Sequence, residues 1–424
     1  MAATDSRQQA WIYDWNGEGA PELPAPGRRV LLNDESLRDG LQSPSVRDPE
    51  IGEKLEILHL MAAVGVRSAD LGLPGAGPRA YEDVLRLARE VADCRLPIRC
   101  YCAARTLRGD LDPIAKIADQ TGLPLMAATF IGSSPIRRVA EDWTVEYLVA
   151  TSRDAVRYAR GLGLSVMFVT EDTTRCDRDT MRALYGAALA EGAEVITLCD
   201  TVGHATPAGA RALVQFVRGE IAAGYPGLRV DWHGHSDRGL GVINALAAVA
   251  AGADCIHGCA LGIGERAGNT ALDQVIVNLA LLGCEAADAG GGAAQGVDLT
   301  RLKEYVRAVA RATGVAIPPN YPVMGADAFR TATGVHAAAV VKGWRKHDWE
   351  LADRVYSGVP ARWFGREQEI ELGPMSGKWN AIAWLERHGY APDEAGIARL
   401  LAAAKRSHTV LTEAEADAAW HSRD

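Results

Sequence analysis

Two histidines separated by one residue are the side chains of this sequence best suited to chemistry. His233 and His235 end a short apolar run, VDWHGH. Side chains two apart on a strand point to the same face, so both imidazoles could reach one metal ion. A hydrogen-bonded pair of histidines in a turn is the alternative. The spacing alone therefore indicates a metal site without establishing it.

Polar residues after two other apolar runs complete a possible ligand set. Asp39 offers a hard oxygen ligand and Asn269 a carbonyl oxygen, while Arg38 offers forked donors for a carboxylate or a developing oxyanion. Arg38 and Asp39 could instead be ordinary loop residues. One carboxylate, two imidazoles and one amide would suit a divalent metal ion, Mg, Mn, Zn or Co, with positions left for substrate and water.

The elements that must position these residues alternate along the chain between short apolar runs and longer segments of helical periodicity. We predict strands at 30–34, 66–73, 97–101, 125–131, 165–170, 194–199, 228–233 and 254–258, with helices such as 49–64 and 207–222 between them. This order favours an α/β fold, a (β/α)8 TIM barrel with an appended C-terminal helical segment; a doubly wound open sheet is the alternative. In a TIM barrel the active site lies at the carboxyl ends of the strands, where these side chains fall.

Composition suggests four parts. We predict an N-terminal extension over 1–27, the barrel over 28–285, a Gly/Ala-rich linker over 286–297 and a C-terminal helical subdomain over 298–424. The first residues lack the apolar core of a signal peptide, and the eight cysteines show no zinc-finger spacing. We therefore expect a cytoplasmic protein with reduced thiols and no membrane partner.

The charge balance excludes a further class of protein. The chain has 424 residues with 45 Lys and Arg against 54 Asp and Glu, a formal net charge of −9. It also contains no basic block. Nucleic-acid binders concentrate positive charge, because they gain affinity by releasing counterions from phosphates. We expect no nucleic-acid partner.

Several segments resemble, in order, the signatures of one family. They are LRDGLQSP, FIGSSPIRR, FVTEDTTRCD, LCDTVGHATP, HGHSDRGLGVINALAAVAAGAD and GIGERAGN, spread over about 28–285. These segments are similar to the DRE-TIM metallolyases, specifically to the Claisen-condensing branch with isopropylmalate, homocitrate, citramalate and Re-type citrate synthases. The resemblance implies a metal-dependent acyltransferase that joins acetyl-CoA, its co-substrate, to a 2-oxo acid, typically in amino-acid biosynthesis.

The resemblance also implies roles for individual residues. It implies Asp39, His233, His235 and Asn269 as metal ligands, Arg38, Glu171, His336 and Tyr356 as catalytic residues, and Gln42, Thr201 and Glu265 as substrate-binding residues. Asp172 and Asp200 either contact the substrate or brace the barrel top. Asp34 either braces it too or orients a ligand histidine. His204 and His257 are expected beside the site or on the surface rather than as ligands.

One motif lies beyond the predicted barrel. TGVHAAAVVK, residues 333–342, resembles the segment of condensing synthases in which a histidine reaches the active site, usually that of the partner subunit. This implies a homodimer with His336 donated in trans, acting as a base with Glu171 because imidazole titrates near neutral pH. Tyr356 falls on a following segment, although YSGVPARWFGR departs from the family pattern. We expect no separate regulatory domain.

Two alternative functions stay open. A retro-Claisen lyase that cleaves a 3-hydroxyacyl-CoA uses the same scaffold, and a non-catalytic relic would keep the fold without the chemistry. Two residues also depart from the family pattern: Asp70 is one methylene shorter than the usual Glu, and Arg137 stands where a histidine is common. GVHAA leans toward homocitrate synthase, whereas GIGERAGN and FIGSSPIRR lean toward isopropylmalate synthase. The sequence leaves the 2-oxo acid, the acyl-CoA and the native metal open.

Overall fold

The structure, a computed structural model, describes residues 11–12, 16 and 23–422. Most of the predicted N-terminal extension therefore lies outside the described residues. The chain divides into two compact units. The first contains the chain up to Asp298 together with Glu304–Val315, and the second contains Leu299–Lys303 and the chain from Ala316 onward.

Eight parallel strands close into a barrel in the first unit. They are β1 (Arg29–Asp34), β2 (Ser68–Asp70), β3 (Arg99–Arg105), β4 (Met126–Gly132), β5 (Ser165–Glu171), β6 (Val195–Asp200), β7 (Arg229–Gly234) and β8 (Cys255–Gly258). Each strand pairs in parallel with the next, and β1 pairs with both β2 and β8, which closes the sheet. The predicted TIM barrel is confirmed, and the open sheet is wrong.

Among the described residues, nine α-helices lie between these strands or directly after β8. They are α1 (Ile51–Ala63), α2 (Pro78–Cys94), α3 (Arg108–Thr121), α4 (Pro135–Glu141), α5 (Val145–Gly161), α6 (Arg178–Ala190), α7 (Pro207–Phe216), α8 (Gly241–Ala250) and α9 (Leu272–Leu281). Polar caps fix where several of them begin. The side chains of Thr144, Asp177 and Thr206 accept hydrogen bonds from the first turns of α5, α6 and α7. The loops from β5 to Asp177 and from β6 to Thr206 are short.

Helices cover the outside of the barrel, so its strands are buried on both faces. All six residues of β6 are buried, as are five of the seven residues of β3. Strands of this kind appear in a sequence as nearly continuous apolar runs, and polar residues within them stand out. Asp231 on β7 and His257 on β8 are two such residues, and both are fully or almost fully buried.

The chain after the barrel stays with the first unit for some distance. A short strand, β9 (Glu285–Ala286), pairs with the start of β1, and Ala287 forms a bridge with Ala293. The residues predicted as a linker, 286–297, lie in this unit. Helix α10 (Leu302–Thr313) follows, and its Tyr305 is fully buried and donates a hydrogen bond to Asp34.

The second unit is mainly helical. It contains α11 (Gly334–Arg345), α12 (Trp349–Arg354), α13 (Lys378–Arg387), α14 (Glu394–Arg406), α15 (Glu413–His421) and a two-stranded parallel sheet of β10 (Arg330–Thr331) and β11 (Glu369–Ile370). Trp384, Leu385 and Leu400 belong to one of its buried clusters, and Val340 and Ile370 to another. The predicted helical segment at the C-terminus is confirmed. Among the described residues, no helix is both long enough and apolar enough to cross a bilayer.

Candidate active site

A cavity of about 260 Å³ opens at the carboxyl ends of the barrel strands. Eight of the residues proposed from the sequence line it: Arg38, Asp39, Gln42, Glu171, Thr201, His233, His235 and Glu265. Asn269 adjoins the cavity, because its amide nitrogen donates a hydrogen bond to Asp39 Oδ2 at 2.7 Å. Residues at the ends of five strands, β1, β5, β6, β7 and β8, or in the loops that follow them are thus brought together where a TIM barrel places its chemistry.

Asp39, His233 and His235 converge on one point. The Nε2 atoms of His233 and His235 lie 3.8 and 3.7 Å from Asp39 Oδ2, beyond hydrogen-bond range. Asn269 Oδ1 and His235 Nδ1 are buried and have no hydrogen-bond partner among the described residues. Buried polar atoms are rarely left unpaired. The donor set of one carboxylate, two imidazoles and one amide oxygen therefore fits a divalent cation.

The protonation of His235 agrees with this fit. Burial, aided by the neighbouring His233, lowers the pKa of His235 to about 4. The ring is therefore neutral at physiological pH and keeps a lone pair for a metal ion. Burial alone would raise the pKa of Asp39, but Arg38 and His233 outweigh it and hold that pKa below its ordinary value. Asp39 is therefore anionic, as a ligand for a divalent cation would be.

The loops after β7 and β8 are joined to each other, which places His235 beside Asn269. These two residues form an antiparallel bridge, and Thr270 donates to the carbonyl of Gly234 at 2.8 Å. Gly268, with φ +90°, approaches so closely that a Cβ atom would lie 1.8 Å from the carbonyl oxygen of Gly262. Gly268, the last glycine of GIGERAGN, is therefore required by the loop that positions Asn269.

Arg38 is held rigidly at the edge of the cavity. Its Nε donates to Asp70 Oδ2 at 2.7 Å and its Nη1 to Asp39 Oδ1 at 2.7 Å. Burial would lower the pKa of Arg38, but Asp39, Asp70 and Glu35 outweigh it and hold the pKa well above its ordinary value. Arg38 is thus a permanent, pre-positioned cation. Asp70, shorter than the family's usual Glu, still reaches it.

Glu35 positions His233 from within the barrel. Its Oε2 accepts a hydrogen bond from His233 Nδ1 at 2.7 Å, and its Oε1 accepts from His257 Nδ1 and Tyr101 Oη, each at 2.9 Å. Burial would raise the pKa of Glu35, but His233 and His257 outweigh it and keep the carboxylate charged. With its Nδ1 hydrogen-bonded to Glu35, the His233 ring turns its Nε2 toward Asp39.

This support extends further into the core. His257 Nε2 donates to Asp231 Oδ2 at 3.0 Å, and Asp231 accepts two hydrogen bonds from Arg229 at 2.9 Å. Burial would lower the pKa of His257, but Glu35 and Asp231 outweigh it and raise the pKa well above its ordinary value. His257 is therefore a buried cation between two carboxylates. A line of alternating charges supports the metal-ligand side of the cavity.

A substitution of Glu35 tests this support. Glu35→Gln keeps the shape of the side chain but replaces an oxygen acceptor by an amide donor, so it disturbs the hydrogen bond to His233 Nδ1. We expect the affinity for a divalent metal to fall by about 10- to 100-fold, as is typical when a partner of a ligand histidine is lost. Metal titration of the purified chain measures this. An unchanged affinity would contradict the positioning role, and Glu56→Gln, an exposed position on α1, is the matched control.

Glu35 and His257 are the residues that sequence reasoning missed or undervalued. Asp34, considered as a residue that orients a ligand histidine, instead accepts hydrogen bonds from the Ser36 backbone and from Tyr305. The two-residue period of strands could have indicated Glu35, rather than Asp34, as the hydrogen-bond partner of His233. Glu35 lies two residues from Asn33, and Asp231 lies two residues from His233. Residues two apart share a face of a strand.

Two further aspartates brace the barrel top. Asp200 accepts hydrogen bonds from Thr174 and from the backbone of His204 and Ala205, and Asp172 pairs with Arg175. Both contacts favour the bracing interpretation over direct substrate contact. The backbone nitrogen of Asp172 also donates to Thr201 Oγ1 at 2.8 Å, which leaves the Thr201 hydroxyl hydrogen free for another acceptor.

The remaining barrel residues lie at the rim. Gln42 and Glu265 are exposed, and Glu171 is half-buried, 4.0 Å from Arg137 Nε. Burial raises the pKa of Glu171 above its ordinary value, against the opposing effect of Arg137. The rim therefore carries Glu171, a carboxylate with a raised pKa, close to the candidate metal-ligand group.

His336 and Tyr356 belong to the second unit and adjoin each other. Their ring centroids are 4.1 Å apart, and Thr333 Oγ1 lies 3.1 Å from His336 Nδ1. His336 lies in the first turn of α11 and is exposed, as is Tyr356. The motif around residues 333–342 thus presents an imidazole and a phenol together at the surface of its unit.

The fold and the site together define a TIM-barrel protein with a mixed N/O donor set at the carboxyl ends of its strands. Residues 29–309 match the HMGL-like family, and the chain belongs to that family, within the Claisen-condensing branch of the DRE-TIM metallolyases. It is 34% identical over 390 residues to homocitrate synthase AksA of Methanopyrus kandleri, covering 91% of this chain and 89% of that one.

Other relatives agree with this placement. The chain is 33% identical over 376 residues to 2-isopropylmalate synthase of Pyrococcus furiosus, covering 88% of this chain and 71% of that one. Among solved structures, it is similar to the HMG-CoA lyase of Bacillus subtilis, with a TM-score of 0.57 and 18% identity, over 70% of this chain and 97% of that one. At that identity the likeness supports the barrel fold alone.

Proposed function

We propose that this protein is a metal-dependent acyltransferase that condenses an acyl-CoA, acetyl-CoA in the first instance, with a 2-oxo acid. The methyl carbon of the thioester bonds to the ketone carbon, and water then cleaves the thioester to release CoA and a 2-alkylmalate-type hydroxy diacid. Relatives named homocitrate synthase and 2-isopropylmalate synthase support this reaction. The observation that carries the proposal is the convergence of Asp39, His233 and His235 beside Arg38 in one cavity.

The charged half of the cavity provides the electrophilic chemistry. Asp39, His233, His235 and Asn269 would hold the metal ion, which when bound supplies Lewis-acid polarisation of the 2-oxo acid. The Arg38 guanidinium stabilises the negative charge that develops on the ketone oxygen or the enolate. The Thr201 hydroxyl donates to the carboxylate of the 2-oxo acid, Gln42 orients the substrate, and Glu265 lies on the acyl-CoA side.

A base must take a proton from the acyl-CoA methyl group, which is a weak acid. We assign this step to His336 working with Glu171, with Tyr356 beside the imidazole. An imidazole suits this task because it titrates near neutral pH. The raised pKa of Glu171, caused by its burial, makes it a stronger base than an ordinary carboxylate. We place the protein in the cytoplasm as a homodimer in which His336 serves the partner's site.

Mixing two inactive variants tests that arrangement. Arg38→Ala and His336→Ala should each be inactive, because each removes one part of every site. In a mixed homodimer population, one of the two sites in each heterodimer regains both residues, so about a quarter of the wild-type activity should return. The measurement is CoA release before and after subunit exchange. Activity that stays at the level of the separate variants would contradict donation in trans.

The reaction itself is tested with the purified full chain and a divalent metal. Acetyl-CoA is incubated with a panel of 2-oxo acids while thiol release is followed, and a 3-hydroxyacyl-CoA is tested in parallel for cleavage. We expect thiol release that depends on the 2-oxo acid. Cleavage of the 3-hydroxyacyl-CoA without any such release would favour the lyase and overturn the proposal.

A further inference from the structure

The lining of the active-site cavity differs from one side to the other. The side built from β1, β7 and β8 carries Arg38 and the metal-ligating residues, while Glu171 at the end of β5 is charged but lies at the rim. The opposite side is built from β3, β4 and β5, and we call its five side chains the apolar wall: Ala103, Ala128, Phe130, Met167 and Val169. Thr197 and Cys199 of β6 border this wall. Tyr101 joins the two sides, because its hydroxyl is held by Glu35.

Strand register places the wall at two depths. Ala103 pairs with Ala128, and Ala128 pairs with Met167, at the deeper level; Phe130 pairs with Val169 nearer the mouth. Ala103, Ala128 and Met167 are 3%, 4% and 0% exposed, so the deeper level is almost closed to water. Phe130 and Val169 are partly exposed and meet a group that enters from the mouth, and the two adjacent alanines beneath them present only methyl groups.

The wall offers no cation to a substrate. Among the described residues that line the cavity, the cations are Arg38, which Asp39 and Asp70 already hold, and His257, which Glu35 and Asp231 hold. The arginines near the rim are paired as well, Arg137 with Glu141 and Arg266 with Asp237, each at 2.9 Å. A carboxylate pressed against the wall would lose its hydration without gaining a partner, which is strongly unfavourable.

We propose that the apolar wall receives the substituent of the 2-oxo acid, and that this substituent is uncharged and aliphatic rather than a second carboxylate. The inference rests on the proposed function and names the class of its acceptor. The 2-oxo and carboxylate groups face the charged side, where Arg38 and the metal ligands lie. The substituent then points across the cavity, where only methyl, methylene, thioether and aromatic groups meet it at the wall.

The test compares kcat/KM for CoA release across uncharged and charged acceptors. Pyruvate, 2-oxobutyrate, 3-methyl-2-oxobutanoate and 4-methyl-2-oxopentanoate form the aliphatic series, and 2-oxoglutarate and oxaloacetate the dicarboxylic one. We expect kcat/KM for the best aliphatic acid to exceed kcat/KM for either dicarboxylic acid by at least about 100-fold. One methylene group in a fitting pocket alone changes kcat/KM by roughly 10- to 200-fold.

Two variants test whether the wall itself makes the choice. Val169→Ala enlarges the cavity at the apolar wall and should shift preference toward the longest aliphatic acid by about 10-fold. Ala128→Leu narrows the cavity at the deeper level of the wall and should lower kcat/KM for the branched acids relative to pyruvate by about 10- to 100-fold. Val297→Ala, a valine outside the cavity that is 36% exposed, is the matched control and should leave the preference unchanged. Because Val169→Ala removes atoms, it remains informative if Ala128→Leu fails to fold.

The outcomes separate the inference from the proposed function. A dicarboxylic acid that equals or exceeds the aliphatic acids overturns the inference and leaves the condensing reaction standing. Unchanged preference in Val169→Ala also overturns it, since the wall would not then contact the substituent. Cleavage of a 3-hydroxyacyl-CoA with no CoA release from any 2-oxo acid overturns the proposed function instead.

Discussion

His233→Ala should lower turnover by about 1,000-fold or more, because it removes a side chain that faces Asp39 in the proposed metal-ligand group. The substitution removes one of the two imidazoles that face Asp39, and it also removes the hydrogen bond from Nδ1 to Glu35. Lewis-acid stabilisation by a bound metal is worth several kcal/mol, and each 1.36 kcal/mol corresponds to a factor of ten in rate. The loss should appear in kcat and in the metal content of the purified protein together.

The control for this experiment is another histidine. His204→Ala changes an exposed histidine that does not line the cavity, so activity and metal content should stay near those of the wild type. Circular dichroism of both variants checks that the barrel has folded. Full turnover in folded His233→Ala would contradict the assignment of His233 as a metal ligand.

Arg38→Lys should lower kcat by about 100- to 1,000-fold, the range seen when a donor to a developing oxyanion is removed. Lysine keeps the charge but lacks the planar fork with which Arg38 contacts Asp39 and Asp70 at once. The ammonium group would be drawn to one carboxylate and leave the other without its partner. Because the lost interaction acts on the transition state, kcat should fall more than the KM for the 2-oxo acid rises.

An arginine outside the cavity provides the matched control. Arg105 at the end of β3 makes a forked ion pair with Asp110 that resembles the contacts of Arg38. Arg105→Lys should leave kcat near the wild-type value. Equal effects of the two substitutions on kcat would show that Arg38 acts through stability alone.

The barrel could be predicted because its strands and helices differ strongly in period. All eight predicted strands are present, with differences at their ends. Sequence reasoning ended the third strand at Tyr101, whereas β3 continues to Arg105. The side chains of Cys102, Ala103 and Ala104 are small, so the sequence pattern does not indicate a strand there. Their extended conformation comes from pairing with β4. Tertiary pairing, rather than local preference, decides such boundaries.

The metal-ligand group could be predicted because it lies in short motifs, but its support could not. Asp39, His233 and His235 follow strand ends that the sequence makes visible. Glu35 and His257 meet only because β1 and β8 are neighbours in the closed barrel, 222 residues apart in sequence. No local sequence pattern shows that β1 and β8 are neighbours. Sequence reasoning therefore reaches the candidate ligands, which the structure brings together, and misses the charges behind them.

The apolar wall could not be recognised from the sequence for a similar reason. Ala103, Ala128 and Met167 look like core residues of buried strands, because nothing in a single strand shows which face borders a cavity. Their proposed role in specificity depends on the charged side of the cavity opposite them, which is built from other strands. The two sides become a specificity element only after the barrel closes.

The most direct test of the account uses acetyl-CoA that carries three deuterons on its methyl group. Condensation removes one deuteron, forms the carbon–carbon bond and releases one CoA for each product molecule. We therefore expect, with the purified chain, a divalent metal and an aliphatic 2-oxo acid, a hydroxy diacid that retains two deuterons by mass spectrometry, in equal amount to the free thiol. Thiol release without a deuterated hydroxy diacid would mean simple thioester hydrolysis and would contradict the account.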